Sequence, residues 1–249
     1  MRTHSVIVLL TALAGLALQG CGSVNVEKVR EPTADQLARK QRSEAQLQSD
    51  NIPFSAETPV IAAESDVQLR SETDVENRVL CLLTLAVKAE GLNQKLVDDI
   101  IGKYGLEPYF SPQETKFLAE DNASDFDSKI AKLRYESAWT LLWALGFVDS
   151  LSRPDQVAEV PAMVRIITQR SPDVFREDAT LRSVAEILDE ADLIYRYHRA
   201  LHAAIDANKV MRVRLNDAVV YERHYALNWL IRYKDQDWDD VSIEEQSTE

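Results

Sequence analysis

The sequence predicts an all-α fold: a single compact domain of seven to nine helices with little or no strand. Three observations carry that expectation. Apolar residues recur at the three-to-four spacing of a helix face along most of the chain. Helix starts are marked by Ser or Thr with Glu or Gln three residues later, at Thr33 with Gln36, Ser111 with Glu114 and Ser183 with Glu186. In each pair the side chains satisfy free backbone N–H groups of the first turn. Gly91 and Gly146 stand where two helices should stop, glycine being the residue that most readily takes the left-handed backbone of a helix end. The roughly 210 residues after Thr33 show no linker break and suffice for one core.

In order, the box at Thr33 opens a helix running to about Ser49. The segment from Asn51 to Arg70, with Pro53 and Pro59, reads as a loop whose Ile52, Phe54, Val60 and Ile61 lie on the core. Ser71 caps a helix that ends near Gly91. Shorter helices follow over Asn93 to Lys103 and Ser111 to Glu120, the second with Pro112 in its first turn. The helix from Asp125 to Leu145 is apolar on nearly all sides after Ala138 and is expected to be central. Pro161 opens a helix to about Gln169, Ser171-Pro172 makes a turn, and the longest helix spans Val184 to Ala207. Met211 to Leu215 reads as a short extended piece, after which Asn216 or Asp217 caps the last helix.

The ends of the chain read differently. Arg2 followed by the apolar run Ser5 to Leu18 resembles an export signal, and Leu18-Gln19-Gly20-Cys21 resembles a bacterial lipobox. That run is shorter than the ~20 apolar residues of a transmembrane helix. The expectation is a signal peptide over 1–20, cleavage ahead of Cys21, acylation of its thiol and a lipidated tether over 21–33. The all-α domain then covers 34–243, and 244–249 is an acidic tail. Gly22 rather than Asp after the cysteine favours the outer membrane, facing the periplasm, if the source cell has two membranes. The partner expected at this end is the membrane, through the lipid on Cys21.

The whole chain has a net charge of −13, and removal of residues 1–20 takes away only Arg2 among its charges, giving −14. Such acidity argues against nucleic acid and fits a soluble body or a protein partner. With Cys21 acylated only Cys81 remains, inside the apolar run Val79 to Val87, so it reads as a small core residue.

The stretch from Val219 to Ser242 concentrates the unusual chemistry. On a helix, Val219, Val220, Ala226, Leu227, Trp229, Leu230 and Ile231 cover more than half the circumference, which marks a central helix. The remaining strip holds Tyr221, His224, Tyr225, Asn228 and Arg232, with His224, Asn228 and Arg232 at i+4 steps. Beyond it, Trp238 stands among Asp237, Asp239 and Asp240. Tyr221, His224, Asn228, Arg232, Trp238 and Asp239 are therefore candidate binding residues around one crevice. The competing expectation is that His224 and Asn228 bridge neighbouring helices inside the core, because buried polar groups must find partners. An alternative activity is a hydrolase in which His224 works with a carboxylate from Asp237, Asp239 or Asp240. His198 and His202, at i and i+4, are weak candidates for metal ligands, lacking the glutamate of an HExxH motif. No nucleophile elbow or phosphate loop accompanies these residues, and no cofactor is expected.

Other charged groups have plainer roles. Arg42, Arg70 and Arg78 are expected to pair with Glu44, Glu76 or the carboxylates around Trp238, fixing the N-terminal block onto the C-terminal one. Asp189, Glu190 and Asp192 suggest a solvated face or a partner surface. Trp139, Trp143 and Trp229 are expected in the core.

Four blocks carry a family resemblance: Arg39 to Glu44 with Ile52-Pro53; Leu69-Arg70-Ser71 with Glu76-Asn77-Arg78 and Lys88 to Leu92; WTLLWALG over Trp139 to Gly146; and EILDEADLIYRYH followed by YERHYALNWL and DWDDVS. Over about Asp35 to Ser242 the chain resembles the bacterial domain of unknown function 4272 family. Ile243-Glu244-Glu245 replaces the Thr-Asp-Thr-like close of that pattern, and the lipobox leader is a second departure. The resemblance implies the fold and its boundary and brings no mechanism. The expected role is a lipid-anchored envelope protein that binds a protein or a ligand.

Overall fold

The computed structural model describes residues 30–120 and 123–243. The expected signal peptide, Cys21, most of the expected tether and the tail at 244–249 lie outside the described residues. Among the described residues there are nine α-helices and no strand. They are α1 (Ala34–Ser49), α2 (Glu72–Ala89), α3 (Gln94–Tyr104), α4 (Pro112–Ala119), α5 (Asp125–Ala144), α6 (Val160–Thr168), α7 (Pro172–Asp178), α8 (Val184–Asp206) and α9 (Asp217–Leu230).

Local signals set these bounds. Ser71, Ser111 and Ser183 accept from the N–H three residues on, at 3.1, 3.2 and 3.3 Å, and Asp74, Glu114 and Glu186 reach back to the cap N–H. Ser171-Pro172 was expected as a turn and instead opens α7, because Ser171 accepts from the Val174 N–H at 3.2 Å. It is the same cap-and-proline chemistry that starts α4. Met211 to Leu215 has no strand partner. α9 stops at Leu230, and Arg232 takes left-handed backbone with φ +53°. Gly146 also has positive φ, and a Cβ there would lie 3.3 Å from the Thr180 carbonyl oxygen. That close approach lets the Thr180 and Arg182 N–H groups donate to the carbonyls of Leu145 and Ala144, closing the free end of α5.

α5 packs between α2 and α9, α9 between α5 and α8, and α8 against α1. The core is continuous from Leu47 on α1 to Val241. Ile52 and Ile61 join it as expected and Val60 is buried, whereas Phe54 is exposed. Cys81 is fully buried, and burial pushes its thiol up to about 12, which suits an inert core residue. Trp143 and Trp229 are buried, but Trp139 is only half-buried.

Two buried arginines fasten the long α1–α2 connection. Arg39 donates to the Ala62 carbonyl at 3.1 Å and to Asp35 at 3.2 Å. Arg196 on α8 donates to Asp192 at 2.8 and 3.0 Å and to the Pro59 carbonyl at 3.1 Å. In the acidic run on α8, Asp192 is buried against Arg196, whereas half-exposed Asp189 receives exposed Arg42 at 2.5 Å. Arg70 joins the N-terminal block to the C-terminal one, through the carbonyls of Trp229 and Gln236 at 2.9 and 2.6 Å rather than through a carboxylate. Arg78 pairs with Glu114 instead of Glu76, at 2.7 Å, because Glu76 is taken by Arg176 at 2.9 Å.

Arg196→Met leaves Asp192 buried without its cation and is expected to cost about 3–5 kcal/mol of stability in urea denaturation. A loss below about 1 kcal/mol, the range of an exposed pair, would mean that the loop is held by something else.

Candidate functional site

α9 lies inside the molecule with five polar side chains in its middle turns, and between them they reach four other parts of the fold. Glu222 accepts from Arg134 on α5 at 3.1 and 3.2 Å and from the Ser137 hydroxyl at 2.5 Å. Arg223 donates to the Ser152 carbonyl at 2.5 Å. The His224 ring meets His198 on α8, Nδ1 to Nδ1, at 2.8 Å. The Tyr225 hydroxyl donates to the Trp238 carbonyl, and Asn228 Nδ2 donates to the Ser242 carbonyl at 2.9 Å. Burial removes water as an alternative partner, so these contacts fix where the neighbouring elements sit.

This arrangement corrects the crevice. His224 and Asn228 are fully buried and point to different partners, Tyr221 is exposed, and Arg232 is half-buried beyond the helix, 3.3 Å from Asp235. His224 and Asn228 are bridges within the core, the competing reading of the sequence. The His224–carboxylate pair of the hydrolase reading is not assembled. Asp239 Oδ1 accepts from the Ser111 hydroxyl at 2.6 Å and Oδ2 from the Gln113 N–H at 3.0 Å, which holds it at the start of α4. An anion there meets free N–H groups and the positive end of the helix dipole.

Trp238, a candidate binding residue, is 3% exposed. Its ring stands edge-on to Tyr225 and Trp229, at centroid distances of 5.0 and 5.5 Å. The guanidinium groups of Arg78 and Arg134 lie 4.9 and 5.6 Å from its centroid, placing cations on the negative face of the indole. Arg78 continues through Glu114, which caps α4 at Ser111, to Asp239. One connected set of charges thus ties α2, α4, α5 and α9 to the C-terminal turn. Beside it opens a groove of about 290 Å³ whose lining includes Gln113, Lys116, Glu120, Arg134, Trp238 and Asp239.

Arg134 and its pairing with Glu222 were not foreseen from the sequence, although a signal exists. Arg134 falls on the stripe Ala131, Ala138, Leu141 of α5, and Glu222 on the stripe Val219, Ala226, Leu230 of α9. A charge on an apolar stripe calls for an opposite charge on the facing stripe.

His198 and His202 are in edge contact, with ring centroids 4.4 Å apart, but His198 Nδ1 faces His224 rather than sharing an ion with His202. Among the described residues no three His, Cys, Asp or Glu side chains are placed to hold a metal. Two neutral imidazoles sharing one hydrogen bond need one Nδ1–H and one bare Nδ1. His224 Nε2 has no partner. A bare lone pair is cheaper to bury than an orphaned N–H, which assigns the shared proton to His224 Nδ1.

Burial, then the neighbouring imidazoles, lowers His224 to about 3, and burial, then His202, lowers His198 to about 4. Unfolded, both groups bind protons near 6.5, so between about pH 6.5 and 4 the unfolded chain holds more protons and stability falls as pH falls. Each histidine contributes about 1.4 kcal/mol per pH unit there. Carboxyls raised by burial, such as Glu190 at about 7, act with the opposite sign, so a comparison of variants isolates the histidines. His224→Phe is expected to flatten the slope of unfolding free energy against pH by about 1.4 kcal/mol per unit between pH 6 and 5. An unchanged slope would show that the pair is not buried neutral.

No curated protein and no solved structure matches the chain. The sequence model of the family described as Domain of unknown function (DUF4272) matches residues 39–241, a span that begins at buried Arg39 on α1 and ends at Val241, just past the turn that holds Trp238 and Asp239. The interior ties of α9 and the turn fastened to α4 lie within that span, and the chain belongs to the DUF4272 family.

Proposed function

We propose that this protein is a lipid-anchored bacterial envelope protein that acts by binding, with the groove beside Trp238 and Asp239 as the site for a protein or ligand. The lipobox ending at Cys21 supports the anchor. The observation that carries the binding reading is the groove wall: Trp238 and Phe117 give apolar surface, Lys116 and Arg134 positive charge, and Glu120 and Asp239 negative charge, around an opening of about 290 Å³. Mixed polar groups around an aromatic centre suit recognition. Trp238 and Arg134 are fixed by the contacts of the interior, so the wall is preorganised and a partner pays little ordering entropy.

Two variants separate the halves of this reading. Metabolic labelling with an alkyne-bearing fatty acid is expected to mark the wild-type chain and not Cys21→Ala; equal labelling of both removes the anchor. In-cell crosslinking of the full-length protein is expected to recover a specific partner that is lost in Lys116→Glu, an exposed rim substitution that leaves the thermal midpoint unchanged. Recovery of the same partner from the variant, or of nothing specific from the wild type, contradicts the groove as a partner site.

A further inference from the structure

The stretch 207–216, ANKVMRVRLN, follows α8 and carries Lys209, Arg212 and Arg214 with no carboxylate, in a chain of net charge −13. All three cations are exposed, and among the described residues none is paired with an acid. Between them stands Val210, 98% exposed, and one turn back on α8 is Ile205, 57% exposed. Two bare apolar side chains flanked by cations form the combination that an amphipathic, anionic interface engages.

Beside this loop runs a groove of about 1070 Å³ between the C-terminal half of α8 and the start of the α1–α2 connection. Its apolar lining includes Ile52, Phe54, Ala203, Ala204 and Met211. Its charged lining is Arg196, Arg199, Lys209 and Arg212, with no Asp or Glu. Within 205–214 the one carboxylate is exposed Asp206, against three exposed cations, so this face is net positive in a chain that is net negative.

We propose that the face formed by residues 205–214 and the groove beside them docks on an anionic phospholipid surface. A bilayer interface supplies both things the face lacks, an apolar layer for Val210 and Ile205 and fixed negative charge for Lys209, Arg212 and Arg214. The rest of the chain carries more than its whole net negative charge and is repelled by the same surface, so charge selects this face alone for approach. The inference rests on the lipid anchor proposed above for its supply of membrane. Ala34 starts α1 thirteen residues beyond Cys21, and at about 3.5 Å per residue the domain stays within about 45 Å of the bilayer. The lipid holds the protein near the membrane, and the cationic loop sets which way it faces.

The test uses the full lipidated protein in vesicles, labelled with a polarity-sensitive dye through Ala207→Cys, an exposed position at the end of α8; buried Cys81 stays unlabelled. In vesicles rich in phosphatidylglycerol the dye emission is expected to shift to the blue and to be quenched by lipid-borne quenchers. In pure phosphatidylcholine, in high salt and in the triple reversal Lys209→Glu, Arg212→Glu, Arg214→Glu, both effects are expected to disappear, each cation being worth about fivefold in partition. Val210→Asp is expected to reduce them while keeping the lipid preference. Emission indifferent to lipid charge, or unchanged in the triple reversal, overturns the proposal. So does a dye response to soluble polyglutamate with none to anionic vesicles, which marks a protein-binding face. Mass analysis of Cys21 on the same preparation separates the two readings: an unmodified cysteine removes the anchor, and the loop is then read from the dye in a Cys21→Ala background, so that only Ala207→Cys is labelled, on adding the same vesicles to the protein in solution.

Discussion

The structure depends on the need of buried polar groups for partners. α9 carries Glu222, Arg223, His224, Tyr225 and Asn228 through the interior, where each unpaired group would cost from about 1 to several kcal/mol. The fold gives each of them at least one partner by bringing α5, the loop at Ser152, α8 and the C-terminal turn to defined distances from one helix. Apolar packing alone tolerates slippage, since many hydrophobic arrangements have similar energy. Directional contacts of a few ångströms do not, so α9 sets the register of the whole domain.

The same logic explains how residues suited to catalysis are spent. His224 meets another imidazole, and Asp239 holds the first turn of α4. Trp238 is gripped between two rings and two guanidinium groups and, 3% exposed, also lines the groove of about 290 Å³. A wall held this rigidly favours recognition of a fixed shape. The loop at 208–214 is the opposite case, with exposed side chains and cations that nothing in the described chain engages. The one is bound inward and the other is free to meet a surface.

Much of the fold was legible because helix ends are local. A serine with a glutamate three residues on, or a proline in the first turn, acts within a single turn, and these signals placed α1, α2, α4 and α8 within a residue or two. Ser171-Pro172 carried the same signal and was passed over because α7 is only seven residues long. Which side chain meets which was far less legible, because partners such as Arg134 and Glu222 are 88 residues apart. Trp238 misled for another reason: its 3₁₀ turn covers only Trp238–Asp240, too short for a period to show which side faces in. The three carboxylates around it marked it as a candidate binding residue, yet one of them is fastened to a helix start. The centrality of α9 was readable from its apolar breadth, and the bridging role of His224 and Asn228 followed from the rule that buried polar groups find partners.

Native-state hydrogen exchange of the α9 amides tests the central claim most directly. If α9 is the element through which the others are registered, its middle amides, from Glu222 to Asn228, exchange only by global unfolding and share the highest protection in the molecule with α5. Exchange of those amides through a local opening, at a free energy clearly below that of α2 and α5, would show that the domain holds its register without α9 and would contradict the account.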